Sequence, residues 1–83
     1  MIVNIKLIGA NCSNGIKILK NLAKVEREMN VEFHIEKIDS ALKEKYHVNV
    51  TPALIIEDQM VSSGNVLSDK EIKHYVKQFC LDL

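Results

Sequence analysis

Ile8-Gly9-Ala10-Asn11-Cys12-Ser13-Asn14-Gly15 is the stretch on which the reading of this chain turns. Ahead of it, positions 2–8 alternate. Val3, Ile5 and Leu7 fall on one side and Ile2, Asn4, Lys6 and Ile8 on the other, the period of a strand with one face strongly buried. Gly9-Ala10-Asn11 interrupts that pattern. From about Ser13 to Met29 the apolar residues Ile16, Leu19, Leu22, Ala23 and Met29 are separated by Lys17, Lys20, Lys24 and Glu28, which predicts an amphipathic helix with one buried stripe. Asn30, a residue that tolerates the left-handed conformation, is a fitting stop. Cys12 therefore sits where a strand hands over to a helix. At a helix N-terminus free backbone N–H groups and the helix dipole stabilise a thiolate, the nucleophilic form of cysteine.

Working outward, Val31-Glu32-Phe33-His34-Ile35-Glu36-Lys37-Ile38 alternates again and reads as a second strand. Asp39 or Ser40 can cap a short helix reaching about Tyr46. Val48-Asn49-Val50 leads into Thr51-Pro52 and is expected to be extended, because a proline disfavours the helical conformation before it. Ala53-Leu54-Ile55-Ile56 is a short apolar run suited to a buried strand, and Glu57-Asp58-Gln59 turns it into a partner beginning at Met60. That turn lacks the glycine usual in tight hairpins. Ser68-Asp69-Lys70-Glu71 matches a capping box and opens a final helix with Ile72, Tyr75, Val76 and Phe79 on its inner face.

The predicted order is β-α-β-α-β-β-α, an α/β fold in a single domain spanning residues 1–83. The β-α-β opening implies two parallel strands joined by a right-handed crossover. The later hairpin must join the same sheet antiparallel. The first and last helices then share one sheet face and the short middle helix takes the other, giving a four-stranded mixed sheet with helices on both faces. Eighty-three residues bury only about 60% of their unfolded surface, so the core has to be efficient.

With Cys12 at the strand-to-helix junction and Thr51-Pro52 opening a later strand 39 positions on, the chain resembles the thioredoxin-like superfamily, and more closely its compact thioredoxin/glutaredoxin-like members. The resemblance covers nearly the whole chain. It is carried by Cys12, by the segment Tyr46-His47-Val48-Asn49-Val50-Thr51-Pro52-Ala53-Leu54-Ile55-Ile56, and by Val61-Ser62-Ser63-Gly64 before a capped helix. It implies that Pro52 is cis and lies against the reactive cysteine, and that the backbone of Thr51 pairs with a bound peptide or glutathione. It also implies a departure. The family's Cys-x-x-Cys reads Cys12-Ser13-Asn14-Gly15, so the thiol that resolves a mixed disulfide in two-cysteine relatives is missing.

The candidate site is accordingly Cys12 as the catalytic nucleophile, with Ser13, Asn14, Gly15, Thr51 and Pro52 as substrate-binding residues. The N–H groups of Asn14 and Gly15 are expected to face the sulfur, and the bare Gly15 to leave room for a ligand or a partner's thiol. Cys80 is expected to be too remote to resolve a disulfide. The last helix is expected to start at the Cys12 end of the sheet and to run away from it, and a helix over 68–80 covers roughly 18 Å, whereas a disulfide needs Cα atoms within about 7 Å. Its expected role is that of a small apolar residue. Lys6 has two readings, a charge that favours the Cys12 thiolate or an amphipathic side chain reaching past the middle helix to water.

Partners follow from this chemistry: protein thiols or disulfides, with glutathione as the small-molecule candidate and no resident cofactor. The resemblance to single-thiol glutaredoxins has gaps, since the lysine usual three residues before the cysteine is Gly9 and the usual Gly-Gly is Ser63-Gly64. The formal net charge is zero with both signs interspersed, which argues against nucleic acid as the main partner. No run approaches the roughly 20 apolar residues of a membrane helix, and residues 1–8 are too short and too alternating for a secretion signal. Cytoplasmic location is the expectation, where the two cysteines stay as thiols. His34, His47 and His74 are not at ligand spacing from one another or from a cysteine, so no metal site is expected. Two readings of function stand: a single-thiol protein of thiol–disulfide exchange, and a non-catalytic binding module of the same fold whose groove beside Thr51-Pro52 holds a peptide.

Overall fold

A computed structural model describes residues 2–80, with position 80 given by its backbone alone. Strand β1 (Ile2–Ile8) leads into helix α1 (Ser13–Met29), strand β2 (Glu32–Ile38), a 3-10 helix (Ser40–Tyr46), strands β3 (Ala53–Ile56) and β4 (Gln59–Ser63), and helix α2 (Asp69–Cys80). The four strands form one sheet in the order β2-β1-β3-β4. β1 and β2 are parallel, while β3 runs antiparallel to β1 and to β4. The mixed sheet with helices on both faces is the α/β architecture expected from the periodicities.

The strand alternation sorts the core. Val3, Ile5 and Leu7 of β1 pack with Leu54 and Ile56 of β3 beneath Ile18, Leu22 and Val25 of α1 and Ile72 and Val76 of α2. Ile8, Ala53 and Ile55 point the other way and meet Ile38 and Val48, with Tyr46 of the 3-10 helix against them. β1 and β3 are interior strands, which is why all of Ala53–Ile56 is buried and the run carries no alternation. The sheet therefore has a large face under two helices and a small face under the short 3-10 helix.

In α1 the buried row is Gly15, Ile18, Leu22 and Val25. Ile16 and Ala23, expected on that row, face solvent. The sequence offers two overlapping apolar stripes on this helix, and tertiary contact chooses between them: the chosen row begins at Gly15, whose backbone lies against residues 9 and 10. Asn30 closes the helix at φ 55°, its N–H returning to Glu26 O. Asp39 caps the 3-10 helix by accepting from Ala41 N–H at 2.9 Å.

The β3–β4 turn places Glu57 and Asp58 at φ 48° and 67°. Two successive positive φ values match the hairpin turn whose twist suits its strands, here made without glycine. Glu57 offsets the strain: its N–H donates to Asn4 O (2.9 Å) and its carboxylate accepts from Asn4 N–H (2.8 Å), extending the β1–β3 ladder by a step. At α2 the capping box forms as read, with Ser68 Oγ accepting from Glu71 N–H and the Glu71 carboxylate accepting from Ser68 N–H, both at 3.2 Å.

α2 does not begin level with Cys12. Asn21 Nδ2 donates to Leu67 O at 2.8 Å and Lys24 pairs with Asp69 at 3.2 Å, so α2 starts beside the middle of α1. Glu28 then pairs with Lys73, and the matching order of these contacts makes the helices run the same way. The reading of Cys80 as a small apolar residue concerns a side chain outside those described.

Candidate functional site

Gly9 is the centre of the candidate site, although its sequence neighbourhood suggested only a strand break. At φ 84° it adopts a conformation that L side chains rarely take. Its N–H donates to Ile38 O at 2.8 Å, fixing it to the end of β2. An added Cβ there would lie 2.9 Å from Thr51 Cβ and 3.6 Å from Pro52 Cα, so the bare Gly9 lies directly against the Thr51-Pro52 segment. On its other side the Gly9 carbonyl accepts from the Cys12 thiol at 3.0 Å and from Cys12 N–H at 3.4 Å.

Cys12 is the N-cap of α1, in extended conformation (φ −80°, ψ 164°), and it is exposed. Its Sγ accepts from Gly15 N–H at 3.2 Å, taking the place that a Ser, Thr, Asp or Asn oxygen usually fills at this position. Ile16 N–H donates to Cys12 O at 3.0 Å and completes the first turn. Asn14 was expected to add a second amide, but the sulfur's bonds among the described residues are those to Gly15 and Gly9. As a thiol the sulfur donates and accepts at once. As a thiolate it keeps the Gly15 amide and gives up the proton shared with Gly9.

Gly15 is buried, and the expectation that its missing side chain leaves space for a ligand is overturned. A Cβ there would fall 2.4 Å from Gly9 O and 2.7 Å from Ala10 Cα, so backbone already fills that space. Ser13 and Asn14 are exposed beside Cys12.

The opposite wall is Thr51-Pro52. Their peptide bond is cis, and Pro52 is fully buried. Gly64 N–H donates to Pro52 O and Ser63 Oγ to Val50 O, both at 2.8 Å, so the end of β4 holds the segment on both sides of Thr51. Gly64 has φ 83°, and a Cβ on it would come within 2.7 Å of Val50 Cγ1. The role of Ser63-Gly64 was legible only as a motif before the last helix. Its contact with residues 50–52 depends on β3–β4 pairing. Val50 and Ile16 leave large apolar surfaces exposed on the segments that carry Thr51 and Cys12.

Lys6 points elsewhere. Its Nζ lies 3.7 Å from Asp58 Oδ1 and 5.7 Å from the centre of the Tyr46 ring. This is the amphipathic reading, with the charge placed at the hairpin turn and over an aromatic face. A cavity of about 290 Å³ on the same side is lined by Asn4, Lys6, His34, Glu36 and the Glu57–Asp58 turn, and by none of the candidate site residues. Disulfide exchange needs a cysteine at the surface, and the exposed Cys12 meets that need where the cavity, lined by no cysteine, does not. His34 and His74 are exposed, and His47 caps the 3-10 helix at φ 59°.

A sheet of order β2-β1-β3-β4, a cysteine capping the crossover helix, and a glycine that bonds this cysteine and lies against a cis-proline segment define the thioredoxin-like class of proteins. The family model described as "Thioredoxin domain" matches residues 3–77, and the chain belongs to that family. A protein named thioredoxin from Methanocaldococcus jannaschii is 27% identical over 79 residues, covering 95% of this chain and 92% of its own. Among solved structures, one titled as a malarial protein superposes with a TM-score of 0.65 at 15% identity, covering 94% of this chain and 97% of the other. Another, described as thioredoxin-2 and a component of malaria parasite protein secretion machinery, superposes with a TM-score of 0.64 at 17% identity, covering 93% and 81%. At those identities the likeness is one of fold. Among the described residues, no helix is long and apolar enough to cross a membrane.

Proposed function

We propose that this chain is a single-thiol thioredoxin-like protein in which Cys12 attacks a disulfide and an external thiol resolves the product. The observation that carries the reading is the exposed residue Cys12, whose sulfur is held at the start of α1 by the Gly15 amide. The family and its fold support a redox role of the thioredoxin type. The Cys12 thiolate attacks a sulfur of the partner's disulfide, forms a mixed disulfide and releases the partner's other sulfur as thiolate. A second thiolate from outside then attacks the partner's sulfur, forms a new disulfide with it and returns Cys12. The net change is an exchange of disulfide partners and needs no further oxidant.

The half-buried Thr51 and the exposed Val50 before it form the wall along which an extended peptide or glutathione lies, with Ser13 and Asn14 on the helix side; Pro52, expected to touch the ligand, is fully buried and supports that wall from behind. Glutathione is a substrate in this reading, and the bonded partners are protein thiols and disulfides. The setting is a reducing compartment, the cytoplasm, which keeps Cys12 available.

Incubation with oxidised glutathione followed by peptide mapping tests the reading. The wild type gains one glutathionyl group on the peptide carrying Cys12 and loses it on addition of reduced glutathione, while Cys12→Ser gains none there. A folded wild type whose Cys12 stays unmodified, under conditions that modify the unfolded chain, removes the exchange reading and leaves a peptide-binding module of the same fold.

A further inference from the structure

The geometry points to Gly15 as the residue that shuts this site against a second thiol of its own chain, and at the same time seats the Cys12 sulfur. The inference rests on the exchange reading above and goes beyond it. The loss of a cysteine at this position is not a vacancy that a single substitution refills, because the surrounding backbone has closed over it.

Two glycines let three backbone segments stack. Gly15 lies against Gly9 O and Ala10 Cα, at distances of 2.4 and 2.7 Å from where its Cβ would be, and Ala10 C would be 2.9 Å away. No Cβ fits at such distances, and the obstacle is backbone, which cannot swing aside as a long side chain would. Nor can residues 9 and 10 simply retreat. Gly9 is tied by its N–H to Ile38 O and backs onto Thr51. The stack of α1, the β1–α1 loop and the Thr51-Pro52 segment is therefore filled from both sides.

That same stack delivers the sulfur's two bonds, the Gly9 carbonyl from one layer and the Gly15 amide from the next. Gly15 is thus a positioning residue for Cys12. An L residue in its place pushes the loop carrying the Gly9 carbonyl away from the sulfur. A cysteine at 15 would have to open the stack before its sulfur reached Cys12. In the exchange sequence, the mixed disulfide on Cys12 consequently meets no thiolate from position 15. The attacking thiolate, the electron pair for the new bond and the leaving group all belong to external thiol and disulfide partners.

Gly15→Cys and Gly15→Ala test this. Each is treated with oxidised glutathione and mapped for disulfides, and each is melted beside the wild type. The expected result for Gly15→Cys is a glutathione adduct retained at Cys12 with no Cys12-to-15 crosslink while the chain is folded. A near-complete crosslink in a variant with native circular dichroism and melting temperature overturns the inference. Should Gly15→Cys not fold, Gly15→Ala decides. Alanine is the better helix former and on helix propensity alone raises the melting temperature, whereas closure of the stack lowers it by several degrees and changes the rate of Cys12 alkylation in the folded protein. A Gly15→Ala protein that melts at or above the wild type with unchanged Cys12 alkylation also overturns it. Failure of the wild type to take up glutathione bears on the exchange reading alone, and closure of the stack is then read from the melting temperature and Cys12 alkylation of Gly15→Ala, which need no glutathione.

Discussion

The two faces of the sheet are built from alternate residues of the same strands, yet they are used differently. On one face α1 and α2 cover Val3, Ile5, Leu7, Leu54 and Ile56 with side chains that are themselves fully buried. On the other, a short 3-10 helix covers Ile8, Ala53 and Ile55 and leaves Asn4, Lys6, His34 and Glu36 beside an open polar cavity. The lesson is that stability and chemistry are separated. The large face holds the domain together, while the site lies at the strand ends, where Gly9, Cys12 and Pro52 are joined by backbone contacts. Closing such a site needs few apolar contacts of its own, because the loop is clamped between elements that the large face has already fixed.

Neighbouring residues on β3 give the sharpest test of that contrast. Ile56 faces the large core and is 0% exposed, and Ile55 faces the small one at 8%. Ile56→Ala is expected to cost about 4 kcal/mol in denaturant unfolding and Ile55→Ala about 2 kcal/mol, the upper and lower ranges for truncating a buried isoleucine. Equal losses would make the faces equivalent. Since a domain of this kind holds roughly 5–15 kcal/mol in total, Ile56→Ala should remove a quarter or more of its stability.

A smaller change, of opposite sign, is expected at the far end of the sheet. Asp58 holds φ 67° in the β3–β4 turn. An L residue in that conformation costs about 1–2 kcal/mol relative to glycine. Its partner is Lys6, but Asp58 is 90% exposed and such a pair contributes only about 0–1 kcal/mol. Asp58→Gly should therefore stabilise the domain by about 0.5 kcal/mol in the same unfolding measurement. A clear loss would mean that the open face depends on the Lys6 pairing.

The smallest effect concerns the outer seam of the large face. A hydrogen bond from Lys73 holds the Glu28 carboxyl below its ordinary value of 4.5, and one from Lys24 holds Asp69 below 3.8. Groups whose values are lowered by folding add stability above their unfolded values and lose it as pH falls through the folded ones. Melting temperature should thus be level near neutral pH and decline through the acid range below 4.5 and then 3.8. Removing both cations, in Lys24→Ala/Lys73→Ala, should flatten that part of the decline. The Glu28 side chain is 39% exposed and that of Asp69 25%, so solvent screens both pairs, the change is a matter of slope, and an unaltered acid limb would show that the seam contributes nothing.

The element order was readable because the chain changes period at clear points: alternation in β1 and β2, helical spacing after Cys12, and a capping box at Ser68. The row that α1 buries was not readable. Ile16 and Ala23 satisfy helical spacing as well as Ile18 and Val25 do, and only the seating of Gly15 on residues 9 and 10 rotates the helix to one row. Cys12 stood out as a candidate site residue from its place between a strand and a helix. Gly9 was not, because a glycine after a strand looks the same whether it merely ends the strand or lets another segment approach. The space beside Gly15 was misread for a related reason: a missing side chain in a sequence says nothing about what backbone has moved into its place.

By itself, the sequence settled the order of strands and helices and which side chain can act as a nucleophile, since these depend on local period and on the chemistry of single side chains. Tertiary structure alone decided how the Cys12 sulfur is held and what fills the position three residues on. Those are questions of contact between segments far apart in the chain, where gaps of a few tenths of an ångström separate an open pocket from a closed one.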